Sequence, residues 1–350
     1  MIMSKESLAE FSSLEIEPLI ADRPAEPRDS SRLLAVRRDD GTLRHRNFRD
    51  LPELLGPRDM LVLNRSRVWK ARLEAVKATG GKSEILLTDP VSGDGLVWNG
   101  LCRKILPGQV LSCQGGSKAE CLARNPDGSY AFRFSVPVDE PYLAAHGAVP
   151  LPQYIIKARR RRGVEAPPDE PNYQTVYAAE AGSIAAHTAG FHFTPDLLAR
   201  LETAGVKTAF VTLHIGWGTF RPVRSEDPAA HVMMEEACSV PAAAAAAINA
   251  HRAAGGRIVA VGTSSMRTLE TFSDDKGVIC SGSGRAGLFV RPGYRFKVAG
   301  AFITNLHVPE SAPLYMTAAF AGRDLLFKAY TEAVKEKYRF YSYGDSMFIC

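Results

Sequence analysis

A chain of 350 residues with 45% hydrophobic and 23% charged side chains has ample material for a core and is too apolar for global disorder. Its length predicts two domains, or one large domain with an insertion, and its net charge of +5 permits an anionic partner without requiring one. No apolar run reaches the roughly eighteen residues of a membrane span, and "MIMSKESLAEFSSLEIEP" lacks an apolar signal core, so a cytosolic protein with no membrane partner is expected.

The first segment, to residue 67, contains "LPELLGPRDMLVLNRSRV". Leu61, Val62 and Leu63 follow Pro57 and Asp59 and predict a buried strand. Residues 68–150 carry short runs separated by Gly, Pro and Asn or Asp. Tyr130, Phe132, Phe134 and Val136 alternate with period two, so this segment predicts a small all-β barrel or meander. The six cysteines, Cys102, Cys113, Cys121, Cys238, Cys280 and Cys350, form no C-x-x-C pair and predict reduced thiols rather than a zinc site or disulfide framework.

Next comes "KARRRRG", with Lys157, Arg159, Arg160, Arg161 and Arg162. Flanking prolines predict a loop, either a solvated charge run or a contact to phosphates. "GSIAAHTAGFHFT" then sets His187 and His192 among small residues, which let backbone approach a ligand closely.

From about residue 151 strands alternate with helices, which predicts a largely parallel sheet with crossover helices. Thr194 and Pro195 open a helix that Gly205 can end. "TLHIGWGTF" is a strand end carrying His214, with Gly216 and Gly218 around Trp217. His214 at a strand end is either catalytic or a satisfied core histidine. His231 with Glu235 and Glu236 comes nearest to a metal-ligand pattern, but no metal is expected. A helix starting near Pro241 is followed by the strand "RIVAVG" and then "GTSSMRTLE". Thr263, Ser264 and Ser265 stand at that helix start, where free N–H groups and the dipole favour a carboxylate or phosphate. Arg267, read in the first turn, would pair with such an anion; the other reading is an ordinary cap with a surface arginine. "TNLHVPESAP" repeats the theme with Asn305 and His307, and "YRFYSYGDSMFIC" places Asp345 after Gly344.

The predicted fold class is α/β with two domains. Residues 1–67 and 151–350 form a discontinuous α/β catalytic domain, interrupted by an inserted all-β barrel at 68–150.

"MLVLNRSRVWKARL", "YQTVYA", "GSIAAHTAGFHFTPDLL", "TLHIGWGTF", "VGTSSMRTLE", "RPGYRFKVAGAFITNLHVPES" and "YRFYSYGDSMFI" together, in this order, closely resemble the S-adenosylmethionine:tRNA ribosyltransferase-isomerase family over nearly the full chain. The resemblance implies an α/β domain with an inserted β-barrel. It also implies a reaction of queuosine biosynthesis. The ribosyl part of S-adenosylmethionine, a co-substrate, moves onto 7-aminomethyl-7-deazaguanine at a tRNA wobble position. Epoxyqueuosine forms, and adenine and methionine leave. No prosthetic group is implied, because the sulfonium itself acidifies the C5′ protons.

Such chemistry needs a general base, donors for departing adenine and an anion site for the methionine carboxylate. His192 matches the family histidine and is the first choice for the base, with His214, His307 and Asp345 as further catalytic candidates. Thr263, Ser264, Ser265, Arg267, Asn305 and His187 are the candidate substrate-binding residues. The basic run from Lys157 through Arg159, Arg160, Arg161 and Arg162 is the candidate tRNA-binding segment, and the chain is expected to act as a monomer. The family pattern is altered at Arg65 (an acid), Asn172 (an arginine), His187 (a proline), Met234 (a histidine) and Glu310 (a lysine). Two other readings therefore stay open: ribosyl transfer to a different amine, and a binder of S-adenosylmethionine or tRNA without turnover.

Overall fold

The computed structural model describes residues 8–165, 168–220, 223 and 228–350. Two sheets dominate it. The larger has nine strands in the order Gly282–Ala286, Glu236–Val240, Lys207–Leu213, Asp59–Asn64, Arg257–Val261, Ala301–Asn305, Ser346–Ile349, Arg32–Val36 and Leu43–Asn47. Only its centre, from Lys207–Leu213 to Ala301–Asn305, is continuously parallel. Antiparallel pairings flank that centre on both sides, so the sheet is mixed rather than largely parallel.

The central strands are apolar throughout because both faces are covered. In the strand Asp59–Asn64, Met60 and Val62 enter a core shared with the helices Ala242–Ala253, Gly262–Thr271 and Ala312–Ala321. Leu61 and Leu63 enter the opposite core, which is closed by the helix Pro195–Thr203. That helix begins as its sequence demands: Thr194 accepts a hydrogen bond from the Leu197 N–H, and Pro195 occupies the first turn.

The smaller sheet is a closed barrel of Tyr130–Phe134, Val97–Cys102, Lys82–Pro90, Arg72–Lys77, Val110–Cys113 and Lys118–Arg124. Its interior holds Leu73, Ile85, Trp98, Phe132 and Phe134. Val136 lies beyond the last strand and is exposed, so the period-two pattern ends at Phe134. A short helix, Glu140–His146, follows the barrel strands within the segment read as all-β.

Barrel and large sheet meet where Ser66–Val68 pairs with Glu180–Ser183. Polar side chains lock this corner. Asn64 accepts from the amides of Ser66 and Leu213 and donates to the Leu213 carbonyl. Ser183 Oγ donates to Ser66 Oγ at 2.8 Å and accepts from the Ile215 N–H at 2.9 Å. The "LNRS", "GSIAA" and "TLHI" segments are thereby held together. Among the described residues, no helix is long and apolar enough to cross a membrane.

Candidate active site

The parallel strands at the sheet centre all end at one edge, the position where open α/β sheets bind ligands. A cleft of about 1130 Å³ opens there. One wall is the barrel, through Arg72, Glu84, Leu86 and Leu101. The opposite wall is built from the small-residue loop 185–189, the helix start Gly262–Ser264 and the segment 307–311. Trp217 lines the cleft while packing on the barrel core.

Small residues let two of these segments come close. Gly262 has φ +81°, and a Cβ there would stand 3.5 Å from that of Ala189. A Cβ on Gly190 would lie 2.1 Å from the Tyr177 hydroxyl, so no larger residue fits.

The helix Gly262–Thr271 starts without a side-chain cap. Thr263 and Ser264 line the cleft, and the Ser264 hydroxyl is buried without a partner. Ser265 is also buried and unpartnered but lies off the cleft wall. Uncapped N–H groups, the positive end of the helix dipole and a free hydroxyl make a site for a carboxylate.

Arg267 corrects the sequence reading. It lies in the second turn, only 6% exposed, and its guanidinium is engaged by the Glu236 carboxylate and the Ala286 carbonyl. Glu236 also accepts from the Gly216 N–H at 2.8 Å. The pair therefore ties the helix to the "HIGWG" turn and to the strand Gly282–Ala286. Arg267 borders a cavity of about 30 Å³ beside the cleft, with Thr263 and Ser264. Nothing in the sequence singled out Glu236 for this role; only a buried-pair partner for a buried arginine would have found it.

The histidines separate clearly. His187 and His307 line the cleft, whereas His192 and His214 do not. His192 is turned inward: its Nδ1 bonds Ser31 Oγ at 2.7 Å and its ring stacks on Phe48 at 4.8 Å. Burial lowers its pKa to about 3, helped by the nearby Arg339 charge, and its Nε2 has no hydrogen-bond partner among the described residues. Asn305 itself donates to the Tyr341 carbonyl and also lies off the cleft wall. His214 packs its ring against Gly182, which has φ +147° and where an added Cβ would lie 2.5 Å from Nδ1. Burial lowers its pKa, and Glu180 pulls the other way.

His307 bonds Thr304 Oγ1 through Nε2 at 2.6 Å, and its backbone N–H donates to the Tyr330 hydroxyl. His187 is 4% exposed with neither ring nitrogen bonded. Burial lowers both of these pKa values to about 3, so both rings are neutral.

Asp345 lies off the cleft wall and is engaged within the chain. Its carboxylate accepts from the Arg32 and Arg339 amides at 2.9 and 2.7 Å and faces the Arg339 guanidinium, fixing a turn. The basic segment is not a loop. Gln153–Arg162 is a helix ending at Gly163 in the left-handed conformation. Arg159 is buried on Asp169, Arg161 pairs with Glu17, and Arg162 pairs with Asp22. Lys157 and Arg160 stay exposed.

Of the altered family positions, Met234 and Glu310 line the cleft with His187. Arg65 pairs with Glu180 outside the cleft lining, and Asn172 donates to the Pro168 carbonyl. Among the described residues no three His, Cys, Asp or Glu side chains converge as a metal site.

The model of the queuosine biosynthesis protein family matches residues 11–349. An S-adenosylmethionine:tRNA ribosyltransferase-isomerase from Moorella thermoacetica is 47% identical, covering 94% of this chain and 96% of that protein. The protein of the same name from Symbiobacterium thermophilum is 46% identical over 98% of this chain and 99% of its own. The crystal structure of an S-adenosylmethionine tRNA ribosyltransferase from Thermotoga maritima superposes with a TM-score of 0.53 at 34% identity, covering 96% of this chain and 98% of that one. Matched from end to end in sequence and in fold, the chain belongs to the queuosine biosynthesis family of S-adenosylmethionine:tRNA ribosyltransferase-isomerases.

Proposed function

We propose that the chain moves the ribosyl group of S-adenosylmethionine onto 7-aminomethyl-7-deazaguanine at a tRNA wobble position, forming epoxyqueuosine with loss of adenine and methionine. The observation that carries this reading is one cleft with an uncapped helix start and a neutral, oriented imidazole on its walls. The Gly262–Ser264 turn receives the methionine carboxylate. His307, rather than His192, removes a C5′ proton. The ylide expels adenine, the aminomethyl nitrogen attacks the sugar, and epoxide closure releases methionine. His192 acts as a positioning residue, bonded to Ser31 and stacked on Phe48 behind the wall.

Incubation with S-adenosylmethionine and tRNA carrying the aminomethyl base tests the reading. Adenine release with a mass-shifted nucleoside is expected. Adenine release with the tRNA unchanged would assign another amine as acceptor. Binding without any adenine release would make the chain a binder.

His187 stands where the family has proline, so the shared chemistry does not depend on it. Its φ of −80° suits a proline ring, and its amide has no hydrogen-bond partner among the described residues. His187→Pro is expected to keep the kcat for adenine release within a few-fold of the parent, since it also removes two unbonded buried nitrogens. A loss beyond about tenfold, or 1.4 kcal/mol in the barrier, would mean that this chain uses the ring on its substrate.

A further inference from the structure

The five cations of the helix Gln153–Arg162 fall into two groups, three with an acidic partner and two without. At 100° per residue, Ile155, Ala158 and Arg159 fall on one arc, and all three are buried. Gln153, Lys157 and Arg160 fall together on the opposite arc, within about 60° of each other, and all three are exposed. Gln153 is also part of the cleft wall. The exposed arc therefore starts at the cleft and runs outward for about 10 Å, at 1.5 Å rise per residue.

The two groups differ in charge state as well. Arg159, Arg161 and Arg162 are neutralised by Asp169, Glu17 and Asp22. They pin the helix to the segment 17–22, with Arg159 and Arg162 also donating to the carbonyls of Asp22 and Ile20. Lys157 and Arg160 have no partner among the described residues. The densest basic run of the sequence thus presents two free charges, aligned and leading from the cleft.

We propose that Lys157 and Arg160 form a phosphate rail that holds the backbone of the RNA acceptor beside the cleft, with Gln153 at its inner end. The proposal rests on the tRNA reading of the cleft. The rail suits a single-stranded segment entering a pocket: two charges on one helical face contact backbone phosphates and leave the base free to enter. A solvated charge run would need neither the alignment nor the junction with the cleft. The three arginines that pair internally are structural, which reduces the basic segment from five candidate contacts to two.

The test uses the full chain and three forms: the parent, the double variant Lys157→Gln with Arg160→Gln, and Arg161→Gln. Affinity for the aminomethyl-bearing tRNA is measured against salt, together with KM for S-adenosylmethionine. The slope of log affinity on log salt should fall by about 1.4–1.8 in the double variant, from 0.7–0.9 per phosphate. KM for S-adenosylmethionine should stay unchanged. Arg161→Gln removes a charge that is already paired and should shift the slope by less than half of one such unit.

A parental slope in the double variant, with the parent still modifying tRNA, would overturn the rail while leaving the function standing. An equal drop in Arg161→Gln would also overturn it, because net charge rather than placement would then be responsible. A parent that leaves the tRNA unmodified would overturn the functional reading and the rail together.

Discussion

His307→Ala should lower the rate of adenine release at saturating substrates by about a hundredfold or more, the span of a lost general base. His307 is one of the imidazoles on the cleft wall, and its orientation is fixed by Thr304 Oγ1. For the base role Nε2–H donates to Thr304, which leaves the Nδ1 lone pair free. Burial holds the free-site pKa at about 3, so no proton blocks that lone pair at any working pH. A low pKa also makes a weaker base. The sulfonium bonded to C5′ offsets this by acidifying the proton to be removed. The substitution leaves the bond from the His307 amide to Tyr330 in place, so the fold should survive. Calorimetry should accordingly show S-adenosylmethionine binding close to the parent. A rate within a few-fold of the parent would remove His307 from the chemistry. A hundredfold loss in affinity with kcat unchanged would make it a binding residue instead.

Arg267→Ala should act on stability more than on binding. The change takes the Arg267 guanidinium away from the Glu236 carboxylate, which is only 5% exposed. Removing one partner of a buried pair costs about 3–5 kcal/mol, a large part of the 5–15 kcal/mol that holds a typical protein folded. It also frees the Ala286 carbonyl and loosens the link through Glu236 to Gly216. Denaturant unfolding should show a midpoint well below the parent. Glu236→Gln combined with Arg267→Met should recover much of the loss, because neutral replacements of both partners leave no buried charge. A variant as stable as the parent that merely binds S-adenosylmethionine more weakly would restore the direct carboxylate contact read from the sequence.

How far the site could be read in advance depended on the range of the interactions involved. The cleft-side residues Thr263 and Ser264 were legible because their setting is local: a strand, a glycine and a helix start in consecutive positions. His307 was legible for the same reason, at the end of a strand. A motif match points to His192 as the base. Its actual partners, Ser31 and Phe48, lie more than 140 residues away in the chain, and no local pattern announces them. Glu236 went unread as a partner because the pair it forms with Arg267 spans 31 residues and two elements.

The sequence alone determined what short-range physics controls. Alternating apolar residues set the barrel strands, because successive side chains on a strand face opposite sides. Thr194 and Pro195 fixed a helix start through one hydrogen bond and one constrained φ. Gly262 supplied the tight turn into the helix at the cleft. The tertiary structure alone decided which charges are paired within the chain and which are not. It made the expected loop a helix, paired Arg159, Arg161 and Arg162 with acids outside that helix, left Lys157 and Arg160 free, and saturated Asp345 with backbone amides. It also made the sheet mixed, since strand direction depends on how distant segments meet. An ion pair or a buried hydrogen bond depends on the separation of two groups in space, and spacing along the chain fixes that separation only within a single element.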